Sequence, residues 1–140
     1  MKNILIVFIF SFLFGCGVKQ EFPNITPNNE FPVDGVWEWT SSKICSRLNP
    51  APETPETCNC VRVLVLNRGK ASFYEGLNKK WESDYSIKNT ETEMGSYYPF
   101  HIKANDLEGW VHLESKQLII TKCPVDGVEH TYQKYIKNNQ

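Results

Sequence analysis

Short runs of alternating apolar and polar residues fill the chain from Gly35 onward, and turn-forming residues close each run. This period of two is typical of β-strands with one buried face, and no stretch has the 3.6-residue period of a helix long enough to predict. Eight short antiparallel strands favour an all-β, eight-stranded up-and-down barrel, because closure leaves no exposed sheet edge. A β-sandwich is the alternative. The predicted strands are residues 36–41, 60–66, 70–75, 81–88, 97–104, 109–113, 117–122 and 128–137.

The N-terminus has the composition of an export signal. Lys2 precedes an apolar run at residues 4–14, which is shorter than the roughly 20 residues that span a bilayer. The run Leu13-Phe14-Gly15-Cys16 resembles the lipobox of bacterial lipoproteins. This resemblance implies that residues 1–15 are removed as a signal peptide and that Cys16 becomes the lipid-modified first residue, carrying acyl chains such as palmitate.

The residues that follow Cys16 bear on the compartment and on the domain boundary. Gly17 comes next, and by resemblance to Gram-negative lipoproteins this favours the outer membrane, with the protein facing either the periplasm or the medium. Residues 16–34 hold three prolines and several asparagines without apolar periodicity, which predicts a flexible tether after the lipidated cysteine. The barrel domain is then predicted at residues 35–137.

Length and charge narrow the classes of partner. A chain of 140 residues is expected to form one domain. Its 15 Lys and Arg and 16 Asp and Glu are interspersed, whereas nucleic-acid binding needs a clustered basic footprint. We therefore expect no nucleic acid as partner, and instead the membrane through Cys16, a small hydrophobic ligand or another protein.

Four cysteines besides Cys16 are predicted to meet at one rim of the barrel, because ends of odd strands and starts of even strands share a rim. An exported chain with an even number of cysteines favours two disulfides. Cys58 and Cys60 lie too close on an extended chain to pair easily, which leaves Cys45 to pair with one of them and Cys123 with the other. Of these two arrangements, Cys45–Cys58 with Cys60–Cys123 is preferred. A zinc site with four thiolate ligands is the less favoured alternative, since Cys-x-Cys is tighter than the usual ligand spacing.

The layout of the domain resembles that of small lipocalin-like lipoproteins of the Bacteroidota. Gly35-Val36-Trp37 is similar to the Gly-x-Trp opening of lipocalins, and Tyr132-Gln133-Lys134-Tyr135 is similar to their closing strand. The Thr-Asp-Tyr turn of lipocalins is absent, because Glu114-Ser115-Lys116 stands in its place. The resemblance implies a barrel that binds a small ligand.

Catalytic and metal-binding motifs are absent from the sequence. His101, His112 and His130 fall on three different strands, and His101 is predicted to face outward. We therefore expect neither an enzyme nor a cofactor or metal.

Large aromatic residues supply the surface of a candidate binding site. They either fill the barrel or line a small apolar cavity that opens at the cysteine rim, beneath the loop at residues 44–59. The preferred function is binding of a small apolar or amphipathic ligand, and the alternative is a protein-interaction or inhibitor module that uses this loop. The predicted lining residues are Trp37, Trp39, Trp81, Tyr85, Phe100 and Trp110.

Overall fold

The computed structural model describes residues 20–46, 48, 50–90, 99–122 and 127–136. The predictions for the signal peptide, Cys16, Cys123 and residues 97–98 lie outside these ranges. None of the helices in the described ranges combines the length and apolarity that crossing a bilayer requires. The elements in chain order are β1 (Gly35–Ile44), α1 (Pro55–Cys58), β2 (Arg62–Asn67), β3 (Lys70–Glu75), β4 (Asn78–Asp84), β5 (Ser86–Asn89), β6 (Phe100–Ala104), β7 (Leu107–Glu114), β8 (Gln117–Thr121) and β9 (Val128–Lys134).

The strands form one antiparallel sheet in the order β4-β3-β2-β1-β9-β8-β7-β6-β5. Pairing of β1 with β9 brings the first and last strands together, and every other hydrogen-bonded pair is consecutive in the chain. The sheet is therefore a nearly closed up-and-down barrel, which confirms the predicted all-β barrel. The described part has nine strands instead of eight, because the predicted strand at residues 81–88 is divided at Tyr85.

The division at Tyr85 lets one stretch of chain pair with two neighbours. β4 pairs with β3, and β5 pairs with β6. At the junction the Tyr85 N–H donates to the carbonyl of Gly69 at 2.8 Å. The chain therefore turns from one half of the barrel to the other at this residue.

Alternation along the strands separates a buried interior from the outer face. Trp37 and Trp39 of β1 both point inward and are 2% exposed, as their spacing predicts. Register continues the interior row across the sheet, since Trp37 lies opposite Leu64 and Leu64 lies opposite Phe73. The buried cluster consists of Val33, Trp37, Trp39, Leu64, Leu66, Ala71, Tyr85, Ile102, Ala104, Leu107, Val111, Leu118, Ile120 and Tyr132.

A β-bulge in β1 changes which residues face the interior near the mouth. Trp39 pairs with Tyr132 and Ser42 pairs with His130, with a register shift between Trp39 and Ser41. Because Tyr132 and His130 are two residues apart on one face of β9, Trp39 and Ser42 also share the interior face although they are three residues apart. The bulge thus places a hydroxyl inside the barrel beside an indole.

One end of the barrel is closed by residues that precede β1. Val33 and Asp34 are fully buried, and the Val33 carbonyl accepts a 2.9 Å hydrogen bond from Trp37 Nε1. Asp34 accepts hydrogen bonds from the Arg68 N–H at 2.8 Å and from the Tyr85 hydroxyl at 2.6 Å. Residues 33 and 34 therefore belong to the folded unit, which begins before the predicted boundary at residue 35.

The predicted disulfide pairing is wrong, because Cys58 is bonded to Cys60. The four-residue helix α1 ends at Cys58, and Asn59 adopts a left-handed conformation with φ of 51°. This turn brings the two Cα atoms to 5.2 Å, whereas the prediction assumed an extended chain there. Cys45 is also disulfide-bonded. Since the sulfurs of Cys58 and Cys60 are joined to each other, they are not available as zinc ligands.

Candidate functional site

The open end of the barrel, here called the mouth, carries a cavity of about 390 Å3. Strand ends gather there: Ile44 ends β1, Arg62 begins β2 and Val128 begins β9. This is the rim at which the cysteines were predicted to lie. The cavity is lined by Trp39, Ser42, Ile44, Ala51, Glu53, Arg62, Phe73, Val128, His130 and Tyr132.

A smaller hollow of about 130 Å3 continues the cavity toward β4 and β7. It shares Phe73, His130 and Tyr132 with the larger one and adds Trp81 and Leu107, together with Asp106. Because the two hollows have walls in common, they form a single concave site, which we call the mouth cup. On one side the Phe73 and Trp81 rings stack with centroids 5.8 Å apart, giving the cup a flat apolar wall.

A hydrogen-bonded chain of polar groups forms part of the floor. Trp39 Nε1 donates to Ser42 Oγ at 2.8 Å, and Ser42 Oγ lies 2.7 Å from His130 Nδ1. Burial lowers the pKa of His130, and the positive charge of Arg62 adds to this effect. The geometry fits a neutral imidazole that accepts the Ser42 hydrogen at Nδ1, because the indole N–H can only donate. The floor is therefore polar but uncharged at neutral pH.

One positive charge stands at the edge of the cup. The Arg62 guanidinium lies 4.4 Å from the centroid of the Trp39 ring, and its Nη1 and Nη2 atoms donate to the Glu53 carboxylate at 3.0 and 3.1 Å. Its Nε also donates to Glu75 at 3.3 Å. The hydrogen bonds with Glu53 raise the pKa of Arg62 and lower the pKa of Glu53. Stacking and pairing thus hold the guanidinium in place.

Glu53 belongs to a segment that crosses the mouth, here called the lid segment (residues 50–60). Ser42 and Glu53 exchange two backbone hydrogen bonds, of 2.9 and 2.8 Å, which attach the segment to β1. Helix α1 follows, with a capping box between Thr54 and Thr57. The predicted loop at residues 44–59 therefore does border the cavity, through Ile44, Ala51 and Glu53.

The structure brings together only some of the six predicted lining residues. Trp39 lines the larger hollow and Trp81 the smaller one. Trp37 and Tyr85 are buried in the core, and Phe100 packs against the core cluster, so all three fill the barrel. Trp110 lies on the outer face, where its ring meets that of His101 edge to face at 5.9 Å. The sequence left open whether these aromatic residues fill the barrel or line a cavity. In the structure some of them fill the core and others line the cavity at the mouth.

Several residues of the cup were not among the sequence candidates. Phe73 could have been included, because it is spaced by two from the buried Ala71 on its strand. Arg62 has the same inward parity on β2 as Leu64 and Leu66, so a charged residue at the mouth could also have been predicted from the sequence. The inward position of Ser42 depends on the bulge, for which the sequence carries no clear signal.

The three histidines do not converge. His101 faces outward, as predicted, and His130 faces the cup. Within the described ranges, no group of three or more His, Cys, Asp or Glu side chains is arranged to hold a metal ion.

Comparison of the chain with protein-family models, curated proteins and solved structures finds no match. A proposal for the function of this protein therefore depends on the geometry of the mouth cup.

Proposed function

We propose that the mature protein is a lipid-anchored carrier, held on the bacterial outer membrane by Cys16, whose lipocalin-like barrel binds a small amphipathic molecule in the mouth cup. The observation that carries the proposal is a cavity of about 390 Å3 at the open end of a barrel, above the buried side chains of the core cluster. Ligand cavities in proteins span roughly 300–1,000 Å3, are mainly apolar and hold a few polar groups. The mouth cup meets this description.

The distribution of side chains favours a ligand with an apolar body and a polar end. Phe73, Trp81 and Tyr132 offer aromatic surface on one side of the cup. Arg62 and Glu53 offer charged hydrogen-bonding groups at the edge. A wholly apolar ligand would cover these charged groups with atoms that cannot form hydrogen bonds, so an amphipathic molecule fits the cup better.

The part of the lid segment around Glu53 can move aside at low cost, while Cys58 and Cys60 stay packed against the core cluster. The Glu53 side chain is 46% exposed, and an ion pair this accessible to water contributes about 0–1 kcal/mol. The two backbone hydrogen bonds between Ser42 and Glu53 add about 1 kcal/mol each. An opening cost of roughly 2–3 kcal/mol leaves on the order of 1% of molecules open, which is enough for a ligand to enter.

The binding proposal is tested by titrating the protein with a fluorescent fatty-acid analogue of the dansyl-undecanoate type. Val128→Trp places an indole into the mouth, whereas Val65→Trp, on the outer face of β2, is the matched control. We expect saturable binding to the wild type and to Val65→Trp, and at least tenfold weaker binding to Val128→Trp. Equal affinity of all three proteins would place the probe outside the cup and contradict the proposal.

The anchor is tested separately by changing Cys16 to Ser. We expect the wild-type protein to fractionate with the outer membrane and Cys16→Ser to be recovered in a soluble fraction. A wild-type protein that lacks acyl chains by mass spectrometry would contradict this part of the proposal.

A protein-interaction module acting through the loop at residues 44–59 is the second candidate. One observation favours it: Leu48 in this loop is 92% exposed. Cross-linking through a photoreactive residue introduced at Leu48 would capture a partner on intact cells. Capture of one defined protein, together with failure of the wild type to bind the probe, would replace the carrier proposal with this one.

A further inference from the structure

Exposed apolar side chains are concentrated at the mouth. In the described part of the chain, five large hydrophobic side chains are more than half exposed. Ile136 lies beyond the end of β9, away from the mouth. The other four, here called the apolar rim, are Ile44, Leu48, Val61 and Leu77.

Contacts show that the apolar rim follows the edge of the cup. Ile44 lines the cavity itself. The carbonyl of Val61 accepts a 2.8 Å hydrogen bond from the Gly76 N–H, so Val61 lies beside the β3–β4 turn that presents Leu77. Leu48 stands between them in the chain that leads into the lid segment. Ile44, Val61 and Leu77 therefore lie around part of the opening and do not form one packed patch, and Leu48 extends the set along the chain toward the lid segment.

The N-terminal segment runs along the outer face of the barrel from its closed end. Phe31 packs against Tyr85 at the closed end, with ring centroids 5.7 Å apart. Nine residues earlier, the Phe22 ring meets Tyr74 edge to face at 5.3 Å. Tyr74 is the next-to-last residue of β3, adjacent to the turn that carries Leu77. The Phe22 ring also meets the ring of Tyr135, just after the end of β9, at 5.7 Å, so Phe22 lies on the outer face between the mouth end of β3 and the closed end of β9.

The length of chain before this point places the anchor within reach of the rim. Cys16 precedes Gln20 by four residues, which span at most roughly 14 Å. Six residues lead from Cys16 to Phe22 and span at most roughly 20 Å, and Leu77 is only three residues beyond Tyr74, so the tether allows the acyl chains to enter a bilayer that contacts the rim.

We propose that the apolar rim docks on the bilayer that holds the Cys16 acyl chains, so that the mouth cup opens onto the membrane and takes a membrane amphiphile as its ligand. The inference rests on the proposed function and names its ligand class and its route. Tethering raises the local concentration of the rim at the membrane, so a contact of only four side chains is sufficient to orient the protein. The ligand then passes between bilayer and cup without crossing water.

A fluid bilayer fits the rim better than a protein partner does. Stable protein interfaces have a continuous, closely packed core with high shape complementarity. The apolar rim is interrupted by the cavity opening, and a rigid partner there would cover the cup. Lipid headgroups and acyl chains adapt to separated side chains and leave the opening accessible to a lipid.

The orientation is tested with the lipidated protein in vesicles of phosphatidylethanolamine and phosphatidylglycerol whose acyl chains carry bromine, which quenches nearby tryptophan. Leu77→Trp reports on the rim, and Ile136→Trp, at a site of nearly equal exposure, is the control. After subtraction of the wild-type signal, we expect the added fluorescence of Leu77→Trp to be quenched at least threefold more than that of Ile136→Trp. Equal quenching, or stronger quenching of Ile136→Trp, would overturn the proposal.

A second measurement separates entry of the ligand from the membrane from binding of the ligand in the mouth cup. Replacing Leu77 and Val61 with Asp should slow transfer of a fluorescent lysophospholipid from vesicles to the protein at least fivefold, while affinity for the dansyl-undecanoate probe in solution is unchanged. Unchanged transfer would overturn the docking proposal and leave the cup intact. Loss of probe binding by the wild type would instead overturn the carrier function on which docking rests.

Discussion

Removing the Tyr85 hydroxyl tests whether the closed end of the barrel depends on a buried carboxylate. Asp34 is fully buried, and its two oxygens accept hydrogen bonds from Tyr85 at 2.6 Å and from the Arg68 N–H at 2.8 Å. Tyr85→Phe keeps the ring, which is 5% exposed and packs on Phe31, and deletes one donor. The change is therefore one of hydrogen bonding and not of packing.

The expected loss of stability follows from the burial of the acceptor. A hydrogen bond to a charged group contributes about 1.5–3 kcal/mol, and an acceptor left without its donor in the interior cannot turn to water. We therefore expect Tyr85→Phe to lower the free energy of unfolding by about 2 kcal/mol. At this chain length the loss corresponds to a fall in melting temperature of roughly 6–12 °C.

The assay is urea unfolding followed by tryptophan fluorescence, with disulfides intact. Tyr135→Phe is the matched control, because its half-buried ring keeps its contact with Phe22, and we expect a change within about 0.5 kcal/mol. In an Asp34→Ala background, Tyr85→Phe should cost much less than in the wild type. An equal cost in both backgrounds would refute the argument that the hydroxyl acts through Asp34.

Three further substitutions test other parts of the structure. Glu53→Gln weakens the ion pair that holds the lid segment, so the backbone amides of Ser42 and Glu53 should exchange hydrogen two- to fivefold faster; unchanged exchange would contradict the role of the pair. Burial lowers the pKa of His130, so the imidazole of the unfolded chain takes up a proton before that of the folded protein as the pH falls below about 6.5. The free energy of unfolding should therefore drop toward pH 5 more in the wild type than in His130→Gln. Parallel pH profiles of the two proteins would contradict this prediction. Gly109→Ala would place a Cβ 2.6 Å from the Thr121 carbonyl oxygen, so we expect a loss of about 1–3 kcal/mol in thermal unfolding, and a loss below about 0.5 kcal/mol would show that β7 and β8 separate easily.

The parts of the fold that were predictable are those governed by neighbours along the strand. Trp81, Ser83, Tyr85 and Ile87 were placed on one face, and the structure buries these four more than the residues between them. A pleated strand imposes this alternation wherever one face is covered, so it can be recognised from residues that are close together in the sequence. The barrel could be predicted because the number and length of the alternating runs fit a sheet that closes on itself.

The parts that were missed depend on contacts distant in sequence or on a single dihedral angle. The division at Tyr85 results from bonds to Gly69 and Asp34, the latter 51 residues away. The bond between Cys58 and Cys60 follows from a left-handed Asn59 at the end of a helix too short to show a period. Local alternation carries no information on either.

The cavity lies at the end of the barrel that the sequence predicted, but several residues that line it were not predicted. Searching for aromatic residues alone identified Trp39 and Trp81 and passed over the polar edge formed by Arg62 and Glu53. It also assigned Trp110 to the interior, although His101 and Trp110 face each other across β6 and β7 on the outside. Counting inward positions along each strand would have added Arg62 and excluded Trp110, whereas Glu53 lies outside the strands and could not be found in this way.

The most direct test of the carrier proposal is native mass spectrometry of the protein exported to a periplasm with Cys16 changed to Ser, alongside the same protein bearing Val128→Trp. We predict a population heavier by a few hundred daltons, which loses the extra mass on denaturation and is depleted at least tenfold by Val128→Trp. A bare mass for both proteins, or the same bound mass on both, would contradict the claim that the mouth cup holds a small amphipathic ligand.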